Sequence, residues 1–166
     1  MRKLLLILSA ALFLVSCGPS RREAADYNDR VIELQRLVIA SYDALLETYD
    51  NYVPSQMDKA LHAFEDQIDN SQNALNAIPV IAGGEGLKAA LSEYFDTYRS
   101  LAQNESRELV RLYKVPENEF TSDIRVQWDA IYKVCDDKAK SADKKLRAAQ
   151  QDFADSFGLT LNKVSQ

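Results

Sequence analysis

The stretch 31–55, VIELQRLVIASYDALLETYDNYVPS, decides the fold. Val31, Leu34, Val38, Ser41, Leu45, Thr48 and Tyr52 recur at steps of three and four, with Leu37, Tyr42, Leu46 and Tyr49 widening the stripe. That period lays apolar side chains along one face of a long helix. Pro54 ends the run, because the residue before a proline is pushed out of the helical region. Ser55 is placed to cap the next helix. The rhythm resumes through Met57, Leu61, Phe64, Ile68, Ser71, Leu75 and Ile78 up to Pro79, and the glycine-dense PVIAGGEG reads as a reversal. Leu87, Leu91, Tyr94, Tyr98, Leu101, Glu105, Leu109 and Leu112 carry a third helix to the break KVPENE. A fourth runs through Phe120, Ile124, Trp128, Ile131, Cys135, Ala142, Leu146, Ala149, Phe153 and Phe157, with Gly158 as its terminator. It starts either with Pro116 in the first turn or later, under a cap from Thr121, Ser122 or Asp123.

Alternating strand patterns are nearly absent. Four amphipathic helices joined by short turns bury their stripes only against one another. The expected fold is therefore all-α, an up-down-up-down antiparallel four-helix bundle over residues 26–158 with a tail at 159–166. Leu159 and Leu161 are placed to fold the tail back on the last turn. An even number of helices puts both termini at one end and the turns around Pro54 and Pro116 at the other.

Ahead of the bundle, Arg2 and Lys3 precede an apolar run from Leu4 to Val15. Twelve helical residues rise about 18 Å, short of the ~30 Å hydrocarbon core, so the run reads as an export signal rather than a span. Leu14, Val15 and Ser16 lead straight into Cys17, which resembles the bacterial lipobox. That resemblance implies a signal peptide over residues 1–16 that is removed and fatty acylation of Cys17, for example by palmitate. It further implies a lipidated tether over 17–25 and a bacterial cell-envelope address. The alternatives are a plain secretory signal with a chance cysteine and, less in keeping with so short a run, a retained N-terminal anchor. Gly18 after the cysteine fits the sorting rule for the outer membrane.

Cleavage before Cys17 removes Arg2 and Lys3 and leaves 18 cations against 25 carboxylates, a net charge of −7. That balance argues against nucleic acid as a partner, because a phosphate backbone needs clustered cations. Arg21 and Arg22 are the exception; they either meet headgroups beside the anchor or are simply solvated. With Cys17 acylated, Cys135 has no partner for a disulfide, and its place on an apolar stripe predicts burial.

No catalytic constellation emerges. His62 is the single histidine, flanked by Asp58 and Asp66, and HAFE is neither repeated nor in the Glu-x-x-His order of a di-iron bundle. AGGEG lacks the Lys-Ser/Thr and the preceding strand of a phosphate loop. No metal site and no cofactor pattern is assigned. Two features remain. Glu105 interrupts the third stripe, either buried among partners or turned to the flank, and counting residues places it level with Thr48, Phe64 and Trp128. Tyr42, Tyr49 and Tyr52 cluster on the first helix, with Tyr94, Tyr98, Tyr113 and Tyr132 elsewhere. Tyrosine favours binding surfaces through its apolar body and polar tip, although at helical spacing packing at the core edge accounts for most of these.

The segments AADYNDRVIELQRLV and AAQQDFADSFGLTL, with the short-turn helical middle, are similar to a family of uncharacterised bacterial surface lipoproteins with an all-helical domain. The resemblance implies location and fold and brings no activity. The expectation is a non-enzymatic envelope lipoprotein that meets a partner protein or surface ligand through its far tip or a flank, with Tyr49, Tyr52, Glu105 and Trp128 as the candidate interaction residues. The alternative is a small-ligand- or metal-binding bundle built on Glu105, the neighbouring tyrosines and Trp128.

Overall fold

A computed structural model describes residues 18–161. Cys17 and the apolar leader lie outside the described residues. Among the described residues the fold is all-helical, with four helices. No strand occurs among the described residues, and no helix among them is long and apolar enough to cross a membrane.

Helix α1 (Arg21–Asp50) begins five residues earlier than the boundary read from the stripe. Ser20 Oγ accepts from the Glu23 amide at 3.2 Å, while the Glu23 carboxylate accepts from the Ser20 amide at 2.7 Å. This reciprocal box satisfies two otherwise orphaned donors. Residues 21–25 are consequently helix rather than tether. The face carrying Ala24, Tyr27, Val31, Val38, Leu45 and Tyr49 is buried.

Helix α2 (Pro54–Ala77) is not capped by Ser55. Val53 takes the cap position without a side-chain bond, and Pro54 opens the helix, where its missing N–H costs nothing. The third helix comprises α3 (Glu85–Leu101), a π-helical turn (Ala102–Ser106) and α4 (Arg107–Tyr113), with helical backbone across both joints. Helix α5 (Ser122–Phe157) takes the later of the two starts. Thr121 Oγ1 accepts from the Ile124 amide, and Glu117–Glu119 form a separate 3-10 turn after Pro116.

α1 and α5 end in the same motif. The Val53 amide donates to the Thr48 carbonyl and the Tyr52 amide to the Tyr49 carbonyl. At the other terminus Leu159 donates to Ala154 and Gly158 to Asp155. Such a motif needs a left-handed residue, normally glycine. α5 supplies Gly158 at φ 61°, whereas α1 supplies Tyr52 at φ 47°.

Two sets of contacts define the ends. At one, Tyr27 Oη donates to the Gly84 carbonyl at 3.1 Å, and Phe157 lies over Gly83. A Cβ on Gly84 would stand 2.8 Å from the Tyr27 ring, so only glycine fits there. Leu159 packs back against the core. At the other end the α1–α2 turn meets the α4–α5 connection, through Tyr52 against Tyr113 and an ion pair between Asp58 and Lys114. Between the ends, Glu65 pairs with Arg107 and Asp69 with Arg99, flanking a core of Leu45, Phe64, Ile68, Leu91, Tyr94 and Phe95.

Candidate functional site

The α1–α2 turn and the start of α5 bring an aromatic ladder together. Tyr49 stacks on Tyr113 with ring centroids 4.8 Å apart and planes 9° from parallel, and its hydroxyl donates to the Ser106 carbonyl. Tyr113 meets the edge of Trp128 at 5.7 Å, and Trp128 stacks on Tyr132 at 5.3 Å. Tyr52 leans on Tyr113 at 6.4 Å. The rungs differ in access: Tyr49 is buried, Tyr113 and Trp128 are half-buried, and Tyr52 and Tyr132 are 59% and 44% exposed. Of the residues expected from sequence, Tyr49, Tyr52 and Trp128 are joined, with Tyr49 acting as the buried support for the exposed rings. Tyr113 is the missing link between them.

The ladder stands in an acidic setting. Asp50, Glu117, Glu119 and Asp123 are exposed and make no ion pair among the described residues. Three nearby cations are spoken for, Lys114 by Asp58, Arg125 by Asp129 and Arg111 by Glu108, while Lys59 at the start of α2 is exposed and forms no ion pair among the described residues. Burial raises the Tyr113 hydroxyl above its ordinary range, and the Asp50 carboxylate adds to the effect.

Glu105 belongs elsewhere. The π turn shifts the phase of the stripe, so Leu101, Ala102 and Ser106 are buried while Glu105 moves to the flank with its side chain 18% exposed. Its Oε1 accepts from Lys138 Nζ at 2.7 Å, and its Oε2 is buried without a hydrogen-bond partner. The expected level with Trp128 is not what forms. Tyr113 sets the register by meeting Trp128, which carries Glu105 on to Lys138, ten residues and about 15 Å further along α5. The site combining Glu105 with Trp128 is therefore not assembled. Next to this pair sits Cys135, buried, its thiol pushed up to about 11 by desolvation and by the Glu105 carboxylate.

The other groups weighed from sequence are dispersed. His62 is exposed on α2 and faces Glu65, which also accepts from Arg107. No group of three or more His, Cys, Asp or Glu suited to a metal occurs among the described residues. Tyr94 Oη, fully buried, lies close to Tyr98, Gln35 and Asp143 without forming a well-aligned hydrogen bond to any of them. Burial raises the Asp143 carboxyl, offset in part by Arg147. A surface cavity of about 530 Å³ opens between Arg21, Arg22, Asn28 and the tail residues Leu159 and Leu161. One of about 310 Å³ lies along Lys140, Asp143, Lys144 and Arg147. Neither is lined by Tyr49, Tyr52, Glu105 or Trp128.

Sequence reasoning passed over one feature at each end of α1. The Ser20-x-x-Glu23 box is legible as a helix start. The left-handed Tyr52 carries no signal of its own, because glycine or asparagine normally marks such a position. Comparison of the chain with protein-family models, curated proteins and solved structures finds no match.

Proposed function

We propose that this protein is a bacterial envelope lipoprotein without enzymatic activity. It is held to the membrane, which we place as the outer membrane, by acylated Cys17, and it presents its aromatic end to a partner protein. The observation that carries this reading is the ladder Tyr52–Tyr113–Trp128–Tyr132, whose outer rings remain in water at one end of the molecule. Exposed tyrosine and tryptophan in a cluster are what protein interfaces use as anchors. The resemblance to helical surface lipoproteins agrees with it.

The arrangement that serves this function is an up-down-up-down antiparallel bundle. Three ion pairs support it, because Asp58, Glu65 and Asp69 ascend along α2 as their partners Lys114, Arg107 and Arg99 descend along the third helix. The contact of Tyr27 with Gly84 and the fold of Phe157 over Gly83 fit both termini sharing the end away from the ladder. A 30-residue α1 then holds the ladder about 45 Å from the anchored end. Four residues from Cys17 to Arg21 span at most about 14 Å, which keeps the bundle close to its bilayer.

The test is site-specific photo-crosslinking in the intact envelope, with the crosslinker at position 52 or at exposed Val80 in the turn at the opposite end. A discrete adduct from position 52 that does not form from position 80 supports the reading. Adducts equally from both positions, or from neither, overturn it.

A further inference from the structure

The ladder end is acidic as well as aromatic. Across residues 47–58 and 111–129, seven carboxylates face three cations. Each of those cations is already neutralised by an ion pair, with Asp58, Asp129 or Glu108. Asp50, Glu117, Glu119 and Asp123 are left as exposed negative charges on the segments that carry Tyr52, Tyr113 and Trp128. Positive charge is attracted to the face of an aromatic ring. A carboxylate beside the ring adds to that attraction, and charge complementarity of this kind selects partners and speeds their encounter.

The backbone supplies an independent observation. Tyr52 occupies a left-handed position at which a side chain is strained, and its ring is the most exposed of the ladder. Glycine would relieve the strain without altering the motif, as Gly158 does at the end of α5. Strain held at an exposed aromatic points to use of the ring.

We propose that this end receives a cationic, Arg- or Lys-rich segment of the partner protein, with the Tyr52 ring and the surrounding carboxylates as its principal contacts. The inference rests on the reading that the ladder is a partner surface and names the chemistry of that partner. An Arg guanidinium stacks on the exposed tyrosines and pairs with Asp50 or Glu117, whereas an acidic segment meets only like charge.

The chain holds a single tryptophan, Trp128, so its fluorescence reports this end of the molecule. The experiment titrates the full-length protein with octa-arginine and, separately, with octa-glutamate. Octa-arginine is expected to change the Trp128 emission saturably, and octa-glutamate to leave it unchanged. Tyr52→Gly, and the pair Asp50→Asn with Glu117→Gln, weaken the interaction about tenfold or more, a difference of about 1.4 kcal/mol. Asp26→Asn with Glu85→Gln, at the opposite end, leaves it intact. Failure to saturate, insensitivity to Tyr52→Gly, or equal loss from the distant carboxylates overturns the proposal. The crosslink from position 52 separates the two levels. An adduct that forms but is not displaced by octa-arginine leaves the partner surface standing and removes its cationic chemistry, while absence of any adduct removes both.

Discussion

Tyr52 and Gly158 hold the same position in the same helix-ending motif, one with a bulky side chain at φ 47° and the other with none at φ 61°. The left-handed conformation costs a side-chain-bearing residue roughly 1–2 kcal/mol, and glycine gives part of that back through its larger unfolded-state entropy. Tyr52→Gly is accordingly expected to raise stability by about 0.5–1 kcal/mol despite losing the contact with Tyr113. Gly158→Ala is expected to lower it by about 1 kcal/mol. Chemical denaturation checks both, and a destabilised Tyr52→Gly protein would show that the ring is retained for packing instead.

Lys138 and Glu105 form a pair whose carboxylate is mostly shielded from water. Lys138→Met leaves that charge without its partner and is expected to cost about 1 kcal/mol; adding Glu105→Gln should restore a good part of it. A double-mutant cycle measures this directly. Strictly additive losses would mean that the two side chains act independently.

Asp143 lies near Tyr94, Tyr98, Gln35 and Arg147, and burial raises its carboxyl above the ordinary 3.8. Between 3.8 and that raised value the folded protein keeps a proton that the unfolded chain has released. The contribution of this group to stability is therefore full below 3.8 and declines as the pH rises through the window. Asp143→Asn should remove the decline. Glu23, Glu33 and Glu108 are lowered by their hydrogen bonds and act in the opposite sense, so the difference between variant and parent is the quantity to follow. Denaturation curves at several pH values that stay parallel for the two proteins would contradict the assignment.

At alkaline pH the core tyrosines resist ionisation. Burial raises Tyr42, Tyr49 and Tyr94 and pushes Tyr98 up to about 12. The folded state holds protons that the unfolded chain loses near 10, so stability falls as the pH climbs above that point. Phenolate absorbance from these residues should appear together with loss of helix. Cys135, buried with its thiol raised to about 11, should react with a thiol reagent only on the same transition. Labelling of Cys135 in the fully helical protein at neutral pH would contradict its burial.

Much of the fold was legible because the apolar residues of α1, α2 and α5 keep helical steps over long runs. Val31, Val38, Leu45, Leu61, Phe64, Ile68, Cys135 and Leu146 are all buried as their spacing implies. The third helix was harder. Its stripe passes through Glu105 at a regular step of four, yet the π turn inserts an extra residue and brings Ser106 inward instead. A serine gives no hydrophobic signal, so the phase change left no trace in the pattern. The starts of α1 and α2 were missed for a related reason: polar residues carry α1 back to Arg21, and a proline that ends one pattern also opens the next helix. Within the candidate site, tyrosine enrichment singles out Tyr49 and Tyr52, whereas Trp128 enters through an expected level with Glu105 that does not form. Their union through Tyr113 depends on register between helices, which spacing along one chain does not encode.

The account stands on attachment to a membrane through Cys17, and intact-mass analysis of the protein isolated from its native envelope tests that most directly. The expected result is a chain beginning at Cys17 and carrying acyl chains on that residue. A chain that keeps its leader, or one whose Cys17 bears a free thiol, would contradict it.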